Sequence, residues 1–480
     1  MGKSLTMKLK AGALIGAVAL SAFVGRGQAS ADLTTSFTTS ITCQNVGAAT
    51  ANVQLDIYSN TGASVATLNR TLPAGGADSI FVGSLGTLSS GFNGAGVLSA
   101  DQQIVATLVQ LPDVASAVKN RPLSNGFSDG SNTVLIATVL KATFNTTTKF
   151  SVQNIDSASA NIAIKFYNTS NVLVTTINAP NVAANSAYYV NAGDVAALGA
   201  NFNGSVIAES TRVGGGAGKI VATALELEVV GVRATAFEGV QSGSSTVYMA
   251  TALCNAFGGS STNYAVQNAG AAAVDVTVTY QGGGSETKPA VGPGAKVSIS
   301  TCAVKPAGYS GAATITTSAG GSIVVVGKAA GPGVLATAFV GAPSGAAQLA
   351  HPYVRWSASR YDLGGRDRQR GNLAIQNVGL SAAANVVVKY IDKDGVVVGT
   401  HTIASIAPGA KANSNPILAT LSPGYAGGTS LTEFGYYAGS VTGGGAIIDA
   451  PGSLLISVVR ISSSPASGTV SEDYTGQPIQ

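Results

Sequence analysis

The chain has 480 residues, of which 10% are charged and 6% aromatic, with 26 basic against 22 acidic side chains. The whole surplus lies in Lys3, Lys8, Lys10 and Arg26 of an N-terminal segment without acids, so the rest is neutral. That excludes a general affinity for nucleic acid or for an anionic membrane surface.

Taken in order, the chain opens with the pattern of a secretion signal. A basic start is followed by the apolar run Ala11 to Val24 and by the small-x-small site Ala29-Ser30-Ala31. Cleavage after Ala31 would leave Asp32 first, with no cysteine there for a lipid anchor. No later run is apolar enough to predict a transmembrane helix. Beyond the signal, low charge leaves Ala, Gly, Ser, Thr, Asn and Val to fill the surface. Such a composition suits strand-rich extracellular proteins and does little to resist association.

One motif then recurs four times. Gln44-Asn45, Gln153-Asn154, Gln267-Asn268 and Gln376-Asn377 are each followed by a tyrosine, at Tyr58, Tyr167, Tyr280 and Tyr390. Further on come Phe92-Asn93-Gly94, Phe202-Asn203-Gly204, Tyr309-Ser310-Gly311 and Tyr425-Ala426-Gly427, then apolar runs such as Ile220-Val221-Ala222-Thr223 and Ile323-Val324-Val325-Val326. A period of about 110 residues suits a self-contained domain rather than a solenoid unit. The divisions expected are a signal at 1–31 and repeats at 32–130, 131–243, 244–343 and 344–480.

Within a repeat the signals are those of strands. Asn161 to Tyr167 alternates apolar and polar residues, as in a strand with one wet face, and turn residues follow at short intervals. No sustained helical period exists in the mature chain. The expected class is all-β, with four tandem immunoglobulin-like antiparallel sandwiches. The Gln-Asn pair reads as the close of a strand and the start of a turn, and the Tyr as a core cap with its hydroxyl outward.

The first repeat is short. Repeats two to four are preceded by strand-like segments, Val134 to Leu140, Val247 to Leu253 and Gln348 to Trp356, whereas repeat one has only Asp32 to Ser40 before its motif. One sheet should carry an open edge, either covered by Asp32 to Phe37 or completed by a tail from another molecule, Gly468 to Gln480 being the candidate. Short Ser-, Gly- and Pro-rich linkers predict a rod of domains with limited bending. The fourth repeat adds a charged insertion, in which Arg355, Trp356, Arg360, Tyr361, Arg366, Arg368 and Arg370 form a candidate patch for an anionic glycan or a partner, beside the plainer reading of a solvated, internally paired loop.

Chemistry-bearing motifs are sparse. Cys254 and Cys302 share repeat three and are candidates for a disulfide, which secretion permits. Cys43 takes a position that Val152, Val266 and Ile375 hold elsewhere, and reads as a buried free thiol. His351 and His401 both lie in repeat four, without a Gly-x-Ser-x-Gly elbow, a His-Glu-x-x-His pair or a Gly-Lys-Ser/Thr phosphate loop. Asp392-Lys393-Asp394-Gly395 lacks the remaining ligands of a calcium loop and reads as a hairpin turn. No catalytic, cofactor or metal site is expected.

Val266-Gln267-Asn268-Ala269-Gly270, Val274 to Tyr280, Pro293-Gly294 and Tyr309-Ser310-Gly311 resemble the tandem β-sandwich repeats of secreted and surface proteins in filamentous Chloroflexi-type bacteria. Repeat four matches through Ile375 to Gly379, Val386 to Tyr390 and Pro408-Gly409. Repeat two departs with Asp156 in place of Gly and lacks the Pro-Gly turn, and repeat one has Cys43 in place of Val. The resemblance implies a surface or matrix location and carries no site residues. The expectation is a non-enzymatic structural protein that associates with itself or with other surface components. An adhesin or carbohydrate binder using loops of repeat four is the alternative, and a hydrolase in repeat four comes third.

Overall fold

The computed structural model describes residues 16–18, 35–113, 116–118, 120–332, 335–357, 369–425, 431–435, 443–463 and 470–479. Their regular structure is nearly all strand and assorts into four antiparallel sandwiches in tandem. The remainder of the expected signal, residues 1–15 and 19–31, lies outside the described residues.

Repeat two shows the plan. Its strands run Thr133–Lys141, Thr146–Asn154, Ala160–Asn168, Leu173–Val182, Ala187–Asn191, Phe202–Arg212, Ile220–Glu228 and Ala234–Glu238. One sheet has the order fourth, third, sixth, first; the other has fifth, second, seventh, eighth. The pairing of second with fifth and of third with sixth is that of an immunoglobulin sandwich. The outer strands trade places, because the first strand borders the sixth and the seventh borders the second. Repeats one and three have the same order, and repeat four adds Trp356–Ser357 and Glu433–Phe434 beyond its second strand.

The motif asparagine holds each sandwich together. In repeat one the Asn45 amide donates to the carbonyls of Ala49 (2.7 Å), Leu72 (3.1 Å) and Pro73 (3.0 Å), while its oxygen accepts from the N–H of Gly47 (2.9 Å). Asn154 makes the same four bonds, and Asn268 and Asn377 make three of them. All four asparagines are fully buried. One side chain thereby joins the turn after the second strand, in one sheet, to the end of the fourth strand, in the other. The tyrosines are less uniform. Tyr280 and Tyr390 are buried, Tyr390 with its hydroxyl on Ser414 Oγ (2.8 Å), so the outward hydroxyl expected for this position fails there.

The two sheets differ in what covers them. The third strand alternates as expected, with Val53, Leu55 and Ile57 inward and the residues between them wet. The second and seventh strands do not. Thr147 to Asn154 and Ile220 to Leu227 are buried at every position, and Ile104 to Gln110 likewise. A strand buried on both faces reads as a continuous apolar run.

The second cover is the preceding repeat. Val324 and Val326 of repeat three join the core of repeat two; Ile456 and Val458 of repeat four join that of repeat three; Val109 and Leu123 of repeat one join that of repeat four. Leu225 and Leu227 of repeat two pack with Phe37 and Val118 of repeat one. The contacts close on themselves. The eighth strands, Leu123–Asn125, Ala234–Glu238, Ala336–Val340 and Val470–Thr475, touch in cyclic order, the last against the first. Turns close the same cycle: Ala183 and Ala184 lie on Gly62, Gly294 on Tyr167, and Gly75 on Gly395.

The four repeats therefore form a closed ring of near fourfold symmetry, and the expected rod is overturned. Short linkers limit how far neighbours separate but say nothing of where the fourth repeat returns. The outer face of each second-seventh sheet decides that, because the apolar side chains its seventh strand carries there need a neighbour.

Two tests follow from this arrangement. Small-angle scattering of the mature chain should give a radius of gyration of about 22 Å, the value for a compact body of this length; a value near twice that would restore the rod. Asn268→Ala strips partners from two carbonyls and one N–H, and should cost about 3 kcal/mol at 1 kcal/mol or more per stranded group. Hydrogen exchange should place the loss at the turn 268–272.

Candidate functional site at the faces between repeats

The glutamine of each motif points away from its own core. Gln267 Nε2 donates to the carbonyl of Val206 in the preceding repeat (3.3 Å), and Gln44 reaches Gly445 of repeat four in the same sense. Gln44 also donates to its own Gly75 carbonyl (3.0 Å). Both glutamines are fully buried. The motif thus splits into an asparagine that closes one repeat and, in Gln44 and Gln267, a glutamine that faces the repeat before it, which a reading of both as turn residues missed.

Charge concentrates at the same faces. Between repeats two and three, Lys328 pairs with Glu226 (2.7 Å), and Lys296 donates to Thr138 Oγ1 (3.0 Å). Burial, then the nearby Lys328, pushes the Lys296 ammonium down to about 7. Between repeats three and four, Arg460 holds Asp473 through Nε (2.9 Å) and Nη2 (2.6 Å), and Thr337 Oγ1 donates to the same carboxylate (2.7 Å). Near the eighth strands Arg121 pairs with Glu472, both buried, while Asn120 Nδ2 donates to the Ala336 carbonyl (3.1 Å). Gln477 closes repeat four onto repeat one, with Nε2 on the Ala106 carbonyl (3.0 Å). Nothing in the spacing of these residues along the chain brings them together; the ring does.

The candidate patch of repeat four is placed differently from expectation. Arg355 is buried with its guanidinium over the Tyr353 ring (4.3 Å), and Trp356 is buried beneath Arg370 (4.4 Å). Trp356 and Arg370 face each other across paired strands, and Arg370 donates to the Ser357 carbonyl (2.6 Å). These three therefore pack the repeat instead of presenting a surface for glycan. Arg360, Tyr361, Arg366 and Arg368 lie outside the described residues.

Cys254 and Cys302 are bonded, with Cα atoms 4.9 Å apart, and tie the end of the first strand to the corner before the sixth. Closing a loop of 48 residues restricts the unfolded chain by about 4 kcal/mol. Cys43 is free and buried, its thiol pushed up to about 12 by burial and by Asp78.

Both histidines meet serines. His351 Nε2 lies 2.7 Å from Ser457 Oγ, and His401 Nδ1 lies 2.9 Å from Ser414 Oγ. His351 and Ser457 are both fully enclosed, and burial drives the His351 imidazole down to about 3. The other ring nitrogen, Nδ1, has no hydrogen-bond partner among the described residues, so none of their carboxylates orients the ring as a general base requires. Ser457 occupies the core position that Ala106, Ala222 and Val325 fill elsewhere. The pair reads as a local polar exchange inside a core. Sequence reasoning paired neither histidine with its serine, since 106 residues separate the first pair.

One cleft stands out. About 370 Å³ opens between repeats three and four, lined by Thr251, Phe257, Ser260, Lys411, Asn413 and Arg460 among others. Phe257 is 76% exposed at its mouth, on a left-handed backbone (φ 50°). Phe144 repeats both features in repeat two (73% exposed, φ 52°), beside a second cleft of about 190 Å³. Lys411 donates to Ser310 Oγ (3.0 Å), and its ammonium is pushed down to about 8 by burial, then by Arg460. No group of His, Cys, Asp and Glu among the described residues is placed to hold a metal ion.

No known family model matches the chain, and no curated protein matches it. Among solved structures, a tetra-tandem repeat from the extending region of a large adhesion protein is 11% identical over 91% of this chain and 93% of that one. Its TM-score is 0.09, a likeness too slight to carry any argument. The repeated all-β architecture stands on the chain's own strands, and nothing here supports an origin in Chloroflexi-type bacteria.

Glu238 offers a pH test of the ring. Its carboxylate accepts the Asn125 N–H of repeat one, and burial pushes its pKa up to about 7 from 4.5. A raised folded pKa gives stability that is present below about 4.5 and lost as pH rises through 7. Glu238→Gln keeps the acceptor without the charge. It should raise the melting temperature at pH 8 and leave it unchanged at pH 5; an equal change at both would show that Glu238 does not titrate in this window.

Proposed function

We propose that the chain is a secreted, non-enzymatic structural protein of the bacterial cell surface or extracellular matrix, built to associate with its own copies. One observation carries the reading: the repeated motif and the buried charges serve closure of four sandwiches into one body. Gln44, Gln267, Lys296, Lys328 and Arg460 all reach across a face between repeats. A rigid, weakly charged block of this kind suits regular packing, since little charge repulsion opposes contact between copies. The N-terminal pattern of basic start, apolar run and small-x-small site supports export. His351, enclosed and without a carboxylate partner among the described residues, supports a role without catalysis.

The cleft beside Phe257 supports adhesion to a glycan as a second reading. An exposed aromatic face over a polar, cationic floor suits a sugar ring bearing a carboxylate.

Light scattering with negative-stain imaging, on protein recovered from culture fluid across a concentration series, separates the two. Growth into filaments or sheets is expected. A single monodisperse block at every concentration would remove self-association. In that case, loss of binding on a glycan array in Phe257→Ala and Lys411→Ala would establish adhesion.

A further inference from the structure

Repeats two and three each begin with a nine-residue strand, Thr133–Lys141 and Thr246–Cys254, laid along the edge of the sixth strand. Repeat four uses Gln348–His351 in the same place. In repeats two and three this strand does a second job, since it also lies against the second and seventh strands of the next repeat. Leu135, Ile136, Val247 and Met249 thus stand in cores that neighbouring repeats share.

Repeat one lacks such a segment next to its motif, yet its sixth strand, Gly94–Ala100, is paired. The partner is Gly16–Val18, with Gly16 opposite Leu98, Ala17 opposite Val97 and Val18 opposite Gly96. This strand comes from the apolar run of the export signal. Without it, a seven-residue edge presents bare N–H and C=O groups, the condition that templates strand addition. The other candidate donor is engaged at home. Val470–Thr475 pairs with the seventh strand of repeat four, and Gln477–Pro478 pairs with Leu349 and Ala350. The C-terminal tail is therefore not the strand that completes repeat one.

The connections differ in a way that decides where the strand goes. Residues 142–145 and 255–260 join first to second strand in repeats two and three, so those hairpins close within one chain. In repeat one, residues 19–36 do so. At about 3.3 Å per residue that length spans roughly 60 Å, enough to reach the same edge on an adjoining molecule. Exchanging an identical element between copies loses no contact, and a donor and an acceptor at different places make a head-to-tail link that propagates.

We propose that Gly94–Ala100 is a strand-acceptor site, and that the strand Gly16–Val18 of a second copy fills it, chaining molecules in series. The inference rests on the self-associating reading above and supplies its contact. It requires the segment to remain on the exported chain, in place of the cut after Ala31 that the small-residue site suggests.

The test uses the full chain with cysteines at one facing pair. Val97 is half-buried while Leu98 is in the core, so Val97→Cys spares the packing. Ala17→Cys chains and Val97→Cys chains are folded together under mild oxidation and run on a non-reducing gel. Exchange gives a covalent mixed dimer at least ten-fold above either variant alone, and a ladder of multimers from the double variant. A double variant that closes only within itself, with no mixed dimer, overturns the proposal. So does an exported protein whose N-terminus is Asp32. Chains lacking residues 1–31 give a second readout, remaining unassociated where the full chain grows; growth without the segment also overturns it. Assembly that proceeds without mixed dimers would reject the strand exchange and leave the structural reading standing.

Discussion

The second-seventh sheet of each repeat is covered on both sides over most of its length, and the rest of the architecture follows from that constraint. An ordinary sandwich buries one side of each sheet. Here the outer side carries Val324 and Val326, or Ile456 and Val458, and each such pair removed from water contributes about 3 kcal/mol or more. A linear array would bury this face in three repeats and leave it bare in the first. Val109 and Leu123 of repeat one, set in the core of repeat four, remove that exposure. Closure needs no contact of a new kind, because the fourth repeat receives the first in the way each repeat receives its successor.

Much of this was legible in the chain and some was not, for reasons that lie in particular residues. The asparagine motif, the repeat period and the strand class are local signals, set by turn chemistry and by alternation. The runs Ile323 to Val326 and Ile220 to Thr223 were equally visible. They break the alternation expected of a half-wet sheet, and taken at face value they imply a second cover. Ring closure is not local. It brings Gln477 to Ala106 across 371 residues, and no periodicity records such a meeting. The Arg355 and Trp356 patch was misjudged because a cluster of arginines near an aromatic resembles a binding surface. Stacked on Tyr353 and under Arg370, these side chains instead stiffen a strand pair peculiar to repeat four.

Polar groups at the faces between repeats set register rather than adding much stability. A buried pair such as Arg121 with Glu472 recovers little more than its desolvation. A polar group left unmatched is costly, so the ring favours the order in which Lys328 meets Glu226 and Thr337 meets Asp473. The apolar faces alone would accept any neighbour, since Val against Ile is much the same in every repeat. Differences in charge from face to face give each repeat its own partner. Four similar domains on one chain need that discrimination if they are to close in sequence rather than mispair.

A closed ring of identical units offers no place for a further molecule to join, because every face is spent. Asymmetry has to come from a unit that departs from the pattern, and repeat one is that unit. It keeps the outer face, the asparagine and the sixth strand, but its first strand is three residues long and stands eighteen residues before the second, where repeats two and three leave four and six. The neighbouring face shows the consequence. Elsewhere the core of one repeat runs on into the sheet of the next. Among the described residues, Leu225 and Leu227 instead gather with Phe37 and Val118 in a cluster separate from the core of repeat one. The ring is thus complete as a body, and the edge of Gly94–Ala100 differs from the equivalent edges of repeats two and three in being covered by three residues in place of nine.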